Sequence, residues 1–442
     1  MLEVREKKKM KKIILTLHIL CLFFCFTYCQ NNRIKTHTGF LQPEVNPSLY
    51  LKSGKVKVNL QDSDIVQKIH ALDCYFEDKV KKNAFNGSVL ISYKGTPIFE
   101  RYYGYKNYNT KERLTSRSTF QIASTSKTFT SAAVLLLLQQ NMISLEDTVQ
   151  KFFPKFPYKG ITVRMLLNHR SGLPNYLNFS EIYWKDKSKF MSNQDVLDMM
   201  ILKRPAALSI PDTRFFYNNT NYVLLALIVE RVSGMPFCDF IHQNIFIPLG
   251  MLDSWYYDPL SVRLSATKGY KGSRWNEDCI VYTDKVIGDK GIYSTVRDMY
   301  VWDRALSSGK FISPELLGLA YTPQSFEKPG TKNYGLGWRM QDQFDGTRLV
   351  YHNGWWHSYN SVFYRKISDN TTVIILSNHY SQNVYKIQGI WDILYGSGVV
   401  SGSEDEGTES ADTTKKLNEK CLKEIYQDIN VKSDSTYRKT IK

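Results

Sequence analysis

Ser124 and Lys127 stand three residues apart in Ser124-Thr125-Ser126-Lys127, inside the run FQIASTSKTFTSAAVLLLLQQN. Polar residues open this run, and Ala132, Ala133, Val134 and Leu135 to Leu138 continue it as solidly apolar chain. That pattern predicts a helix buried on most sides and starting near Ser124. Residues three apart share a helix face, so Lys127 lies one turn above Ser124. The helix start carries the positive end of the dipole, which favours a developing alkoxide. A lysine stripped of water there loses affinity for its proton and can act as a base. Such a pair is suited to attack on an acyl carbon. Two more sets follow in order along the chain. Tyr217-Asn218-Asn219 supplies a phenol with an amide, and His352-Asn353-Gly354 supplies a Gly-flanked edge that can face an oxyanion. Together they equip a serine acyl-transfer enzyme without a Ser-His-Asp triad.

Each set alone is cheap. Ser265-Ala-Thr-Lys268, Ser307-Ser-Gly-Lys310 and Ser325-Phe-Glu-Lys328 repeat the first pattern, but only the Ser124 copy opens a buried apolar helix. The copies at 307 and 325 sit beside Gly or Pro and read as loops. Tyr105-Lys106-Asn107 and Tyr176-Leu177-Asn178 repeat the second. The weight therefore rests on the ordered set and its flanks.

Those flanks point to a family. Phe120-Gln-Ile-Ala-Ser-Thr-Ser-Lys-Thr-Phe-Thr130 resembles the nucleophile segment of class C β-lactamases and of the penicillin-binding-protein and esterase relatives grouped with them. Leu166-Leu-Asn-His-Arg-Ser-Gly-Leu-Pro-Asn-Tyr176 is similar to that family's Leu-Leu-x-His-Thr-Ser-Gly-Leu-Pro stretch, and Phe216 to Leu225 to its Tyr-Ser-Asn segment. Gly291-Ile-Tyr-Ser-Thr, Trp302-Asp303 and Tyr334-Gly-Leu-Gly-Trp338 match later landmarks, so the resemblance covers about residues 66–395.

The resemblance implies roles at matching positions. Ser124 would be acylated, Lys127 would help deprotonate it, and Tyr217 would shuttle a proton to or from the leaving group. Asn219 would orient the substrate and the lysine. The oxyanion hole would use the backbone N–H groups of Ser124 and of Trp355, which follows Gly354. His352 stands where the β-lactamases usually carry Lys, and Asn353 where they carry a hydroxyl residue that helps hold a carboxylate. Both departures weaken the case for efficient β-lactam hydrolysis and fit the family's His-x-Gly branch of esterases and D-amino-acid peptidases. Asn353, Trp356 and Tyr359 are assigned to the substrate pocket. Trp355, Trp356 and Tyr359 either form an aromatic wall there or pack the sheet against a helix.

Other candidates carry less. His169 lies in the Leu-Pro turn region and reads as a local hydrogen-bonding residue. His352 and His357 are five apart, a poor fit to a metal pair, and neither Cys-x-x-Cys nor His-Glu-x-x-His occurs. No Gly-rich phosphate loop occurs either, so no metal or cofactor is expected.

The 442 residues are 43% hydrophobic and 14% aromatic, ample for a large core. The formal net charge is +16, and six basic against two acidic residues lie within the first twelve positions. The remaining charges are scattered, with no basic stripe, so nucleic-acid binding is not expected. Arg5 to Lys12 precede an apolar run from Ile13 to about Tyr28, the pattern of a signal peptide. Cys29 offers a lipid attachment point, although Tyr28 is large where a lipidation motif wants a small residue. Export to the periplasm or cell envelope follows, with membrane attachment through the signal or a lipidated Cys29 as an alternative to a plain cleaved signal. Cys74, Cys238, Cys279 and Cys421 are widely spaced and read as buried free thiols.

The expected organisation is a signal over residues 1–29, a spacer over 30–65, a catalytic unit over 66–395 and a polar tail over 396–442. Asp64 to Asp78 has helical spacing, and strands flank Lys94-Gly95 as a hairpin. Tyr222 to Val232 and Val384 to Tyr395 read as helices, and Arg348–Tyr351, Asn360–Arg365 and Thr371–Ser377 as strands. A short helix is expected around Leu417 to Tyr426. The fold class is α+β: an antiparallel sheet built from both ends of the domain, flanked by helices, with a mostly helical insert carrying Tyr217. That is the serine β-lactamase and DD-peptidase-like architecture. The function implied is an exported serine hydrolase that forms an acyl-enzyme on an ester, a D-amino-acid peptide or a β-lactam. The substrate is a small molecule or peptide, with peptidoglycan fragments one source. A non-catalytic penicillin-binding, cell-wall-sensing protein of the same fold is the alternative.

Overall fold

Gly87–Tyr93 (β1) and Thr96–Tyr103 (β2) pair antiparallel about Lys94 and Gly95, whose φ values are 49° and 81°. A tight hairpin that matches strand twist needs both central residues in that left-handed region. The structure is a computed structural model and describes residues 58–401 apart from 259–260 and 263–264. The signal segment, Cys29, Cys421, the Leu417–Tyr426 helix and most of the tail lie outside the described residues.

Five further strands are Lys332–Tyr334 (β3), Arg339–Asp342 (β4), Arg348–Trp356 (β5), Tyr359–Lys366 (β6) and Thr371–Ser377 (β7). Among the described residues they form, with the hairpin, a seven-stranded antiparallel sheet in the order β3-β4-β5-β6-β7-β1-β2. The first and last thirds of the domain thus meet where β1 pairs with β7.

Five helices carry the argument: Ser63–Lys81 (α1), Ser126–Gln139 (α2), Asn219–Ser233 (α3), Val296–Ser307 (α4) and Gln388–Tyr395 (α5). β1, β6 and β7 are buried along their whole length, because helices cover both faces of the sheet. On one face α1 and α5 enclose a cluster that includes Leu72, Phe76, Ile91, Tyr351, Tyr364 and Trp391. On the other lies α4, joined to β6 by a buried ion group. Arg365 Nε donates to Asp303 Oδ1 at 2.6 Å, and Arg304 Nε donates to Asp303 Oδ2 at 2.9 Å. Trp302 of α4 stacks on Phe129 of α2, with ring centroids 4.3 Å apart and planes 18° apart. That contact docks α2 on the same side of the sheet.

Some expectations need correction. β3 and β4 were not legible, because KNYGLGWRMQD has no strand period and its pairing is decided by neighbours across the sheet. β5 runs on to Trp356, which places the His352-Asn353-Gly354 triplet inside a strand. The predicted helix from Val384 is a 3₁₀ turn at Gln382–Tyr385 followed separately by α5. Tyr385 is held there by its hydroxyl, which donates to Gly354 O at 2.7 Å. The three described cysteines are free thiols, but none is fully buried: Cys74 is exposed on α1, and Cys238 and Cys279 are half-buried.

Candidate active site

α2 does not begin at Ser124. A 3₁₀ turn, Ala123–Thr125, precedes it, and Ala123 takes φ 48°. A left-handed alanine is strained by about 1–2 kcal/mol, and the surroundings hold it there. Thr125 Oγ1 lies 2.8 Å from Ser361 Oγ and donates to His352 O at 3.2 Å, and Ser361 Oγ donates to Ile122 O at 2.7 Å. The turn is thereby stitched onto β5 and β6. A Cβ on Gly354 would lie 2.3 Å from Ile122 O and 3.0 Å from Ser124 N. Only a glycine lets the strand come this close to the half-buried Ser124.

Lys127 is fully buried, and its Nζ reaches Ser124 Oγ at 3.0 Å, Asn219 Oδ1 at 2.8 Å and Asp289 O at 2.8 Å. Two of these partners can only accept, whereas the Ser124 hydroxyl can also donate. A neutral amine therefore satisfies all three, giving its two protons to Asn219 and Asp289 and its lone pair to Ser124. Burial favours that form and brings the Lys127 pKa down to about 7, with Asp289 opposing and Arg339 assisting.

α3 presents the second motif. Asn218 caps it, its Oδ1 accepting from Thr220 N at 2.9 Å, and Asn219 opens its first turn toward Lys127. The half-buried Tyr217 lies just before the cap. Lys127 Nζ is 5.0 Å from its ring centroid, Arg339 Cζ is 5.1 Å away, and the His352 ring is 6.3 Å away.

His352 is buried in β5. Its Nδ1 donates to Asn353 O at 2.7 Å, which assigns the neutral tautomer whose Nε2 accepts from Tyr334 OH at 3.2 Å. Burial, then Arg339 and Lys127, hold its pKa well below the usual histidine range. Its neutral state follows from the surroundings rather than from the ordinary histidine pKa.

The geometry therefore brings Ser124, Lys127, Tyr217, Asn219, His352 and Gly354 together, with Trp355 next along the strand. It does not bring Asn353 to the pocket. Side chains alternate along β5, and Asn353 falls on the face of Tyr351, where its Nδ2 donates to Tyr364 OH at 3.4 Å. Trp356 and Tyr359 are also buried rather than forming a wall. Trp356 Nε1 donates to Asp284 Oδ1 at 2.7 Å, and Tyr359 OH donates to Thr267 O at 2.5 Å. Between the two sequence readings of these aromatics, they pack the end of the sheet.

Four site residues were not singled out for these positions. Asp289 supplies a carbonyl to Lys127, Arg339 and Tyr334 flank Tyr217 and His352, and His169 lies under Tyr217. Asp289 and Arg339 sit beside the Gly291 and Trp338 landmarks, which is the sequence signal that could have flagged them. Among the described residues, no group of three or more His, Cys, Asp or Glu could hold a metal ion.

The fold is that of the β-lactamase class, and comparison with known proteins agrees. The family model described as Beta-lactamase matches residues 72–394, and the chain belongs to that family. It is 34% identical over 345 residues to penicillin-binding protein 4* of Bacillus subtilis (strain 168), covering 74% of this chain and 76% of the relative. It is 27% identical over 337 residues to a teichoic acid D-alanine hydrolase of Staphylococcus aureus (strain MRSA252), covering 74% and 78%. Among solved structures, an octameric penicillin-binding protein homologue from Pyrococcus abyssi superposes with a TM-score of 0.65 at 24% identity, covering 75% of this chain and 78% of that one. That likeness shows the fold.

Proposed function

We propose that this chain is an exported serine acyl hydrolase that acylates Ser124 with an ester or a D-amino-acid amide or peptide and then releases the acyl group to water. The observation that carries this reading is the buried Lys127 amine 3.0 Å from Ser124 Oγ, with its pKa near 7. A base works best when its pKa lies close to the working pH.

Lys127 takes the Ser124 proton as Oγ bonds to the acyl carbon. The oxygen that gains charge is held by the backbone N–H groups of Ser124 and Trp355; one such donor contributes about 3 kcal/mol. Tyr217 gives a proton to the leaving oxygen or nitrogen as its bond to the acyl carbon breaks, and regains one from Lys127. Asn219 keeps the amine aligned. Water then attacks the acyl-Ser124, and the same groups run in reverse.

The Arg339 cation beside Tyr217 supports a substrate whose leaving side carries a carboxylate or phosphate. The neutral His352, standing where the β-lactamases carry a lysine cation, argues against efficient β-lactam turnover. The relatives named for penicillin binding and for teichoic acid D-alanine hydrolysis support a site of action at the cell envelope.

Intact-protein mass tests this. Wild type and Ser124→Ala are exposed briefly to a fluorophosphonate and to benzylpenicillin. A single adduct lost in the variant is expected, with slow release of any penicilloyl group. Equal labelling of both proteins removes Ser124 from the mechanism, and acylation that never turns over with D-alanyl esters or D-amino-acid amides marks a binder instead of an enzyme.

A further inference from the structure

His169 is tied to Tyr217 from both sides of the chain. Phe216 N donates to His169 O at 2.9 Å, and Asn218 N donates to His169 Nδ1 at 3.1 Å. The residue between these two bonds is Tyr217, and the two rings lie 4.3 Å apart at 40°. Tyr222 and Tyr334 close the imidazole in, with centroids at 5.1 Å and 4.8 Å. We infer that His169 is the positioning residue for Tyr217, aiming its phenol at the leaving group. This rests on the acyl-enzyme reading above.

Three observations separate this role from ordinary core packing. His169 sits at φ 60°, a left-handed conformation that a non-glycine residue adopts at a cost. That conformation turns both its carbonyl and its ring toward the 216–218 segment. Its Nδ1 also lies 3.3 Å from Asn221 Nδ2 and so acts as an acceptor, which leaves the proton on Nε2. Nε2 is buried without a hydrogen-bond partner among the described residues. A buried unpaired donor weakens a fold, and here it is kept beside a functional side chain. Burial and the nearby Lys127 keep the imidazole neutral, so the Nδ1 acceptor persists at working pH.

The test uses leaving groups of different basicity. A p-nitrophenolate departs with little help, whereas a methoxide needs a proton as it leaves. The full-length wild type, His169→Leu and Ser124→Ala are compared by kcat/KM on p-nitrophenyl butyrate and methyl butyrate. His169→Leu is expected to lose about a hundredfold on the methyl ester, the scale of an ångström misplacement, and about threefold or less on the p-nitrophenyl ester. Equal losses on both esters, or no loss on either, overturn the inference, because a merely structural defect does not distinguish leaving groups. Asparagine tolerates the left-handed backbone, so His169→Asn replaces the leucine variant if that one does not fold. The same leaving-group dependence at about tenfold is then expected, and equal losses again overturn it. Full activity in Ser124→Ala would instead sink the acyl-enzyme reading itself, whatever the His169 variants do.

Discussion

Lys127 and Asn219 come from helices 92 residues apart in the chain, and the amine donates to the amide oxygen at 2.8 Å. This bond fixes one side of the amine and leaves Ser124 on the other. With the Lys127 pKa lowered to about 7, the base is formed as pH rises. We expect kcat/KM to climb through pH 7 and then level off. Asn219→Ala removes the orienting acceptor and should lower kcat/KM by about tenfold to a hundredfold. A rate that is flat between pH 5 and 9 would be incompatible with Lys127 as the base.

The same burial makes Lys127 a liability for stability. The unfolded lysine titrates near 10.5, well above the folded one. Between pH 7 and 10.5 the unfolded state binds more protons, so the penalty is full below pH 7 and fades as pH rises toward 10.5. Lys127→Met should therefore raise the thermal midpoint at pH 6.5 while turnover falls by about 10²- to 10⁴-fold. Scanning calorimetry of both proteins at pH 6.5 and 9.5 checks the sign, since the stabilisation should shrink at the higher pH.

His352 behaves differently from a free histidine. Burial, Arg339 and Lys127 depress its pKa, so it stays neutral well below pH 6.5. Its protonation should add no second limb to the pH profile near that value. We expect His352→Gln to reduce kcat/KM and to leave the midpoint near pH 7 where it was, because a neutral group is exchanged for another. A profile in which this variant alone loses an inflection near pH 6.5 would reassign that titration to His352.

Gly354→Ala tests the contact between β5 and the nucleophile turn. The added methyl meets Ile122 O at 2.3 Å and Ser361 Oγ at 2.5 Å. Relieving this moves the strand edge away from Ser124. Acylation by a fluorophosphonate should slow by about a hundredfold, with destabilisation of about 1–3 kcal/mol. A stopped-flow labelling rate equal to wild type would show that the strand edge does not set the oxyanion geometry.

Asp303 joins α4 to β6 through Arg365 and also pairs with its α4 neighbour Arg304, and all three are buried. Removing the carboxylate leaves both cations facing each other. Asp303→Ala should cost about 3–5 kcal/mol in urea unfolding, with Ser124 labelling retained in the folded fraction. The arginines hold the Asp303 pKa below the usual carboxylate range, so its stabilising contribution is present at neutral pH and is lost only in strong acid.

Much of this was legible from local pattern. The apolar run after Lys127 specified α2, because few helices bury so many consecutive residues unless they cross a core. Lys94-Gly95 specified the first hairpin, and the apolar stretch after Asn219 specified α3. The six motif residues carried their own flanks and converge in space. Asn353 misled because a triplet read as one unit ignores strand alternation, which turns its middle side chain to the opposite face of the sheet. Trp356 and Tyr359 misled because an aromatic edge looks alike whether it borders a pocket or closes a core.

The sequence by itself determined which residues are chemically able to act and which helices and strands could hold them, since those depend on side-chain type and short-range period. Tertiary structure alone decided the rest. It lowered the pKa of Lys127, since the burial that strips the amine of water, and the Arg339 cation that assists it, come from distant parts of the chain. It paired β3 and β4, whose runs carry no period of their own. It also brought His169 beneath Tyr217, an arrangement that depends on two loops distant in the chain meeting through Phe216 N and His169 O. Electrostatic environment and long-range pairing are properties of the folded surroundings, and no local pattern encodes them.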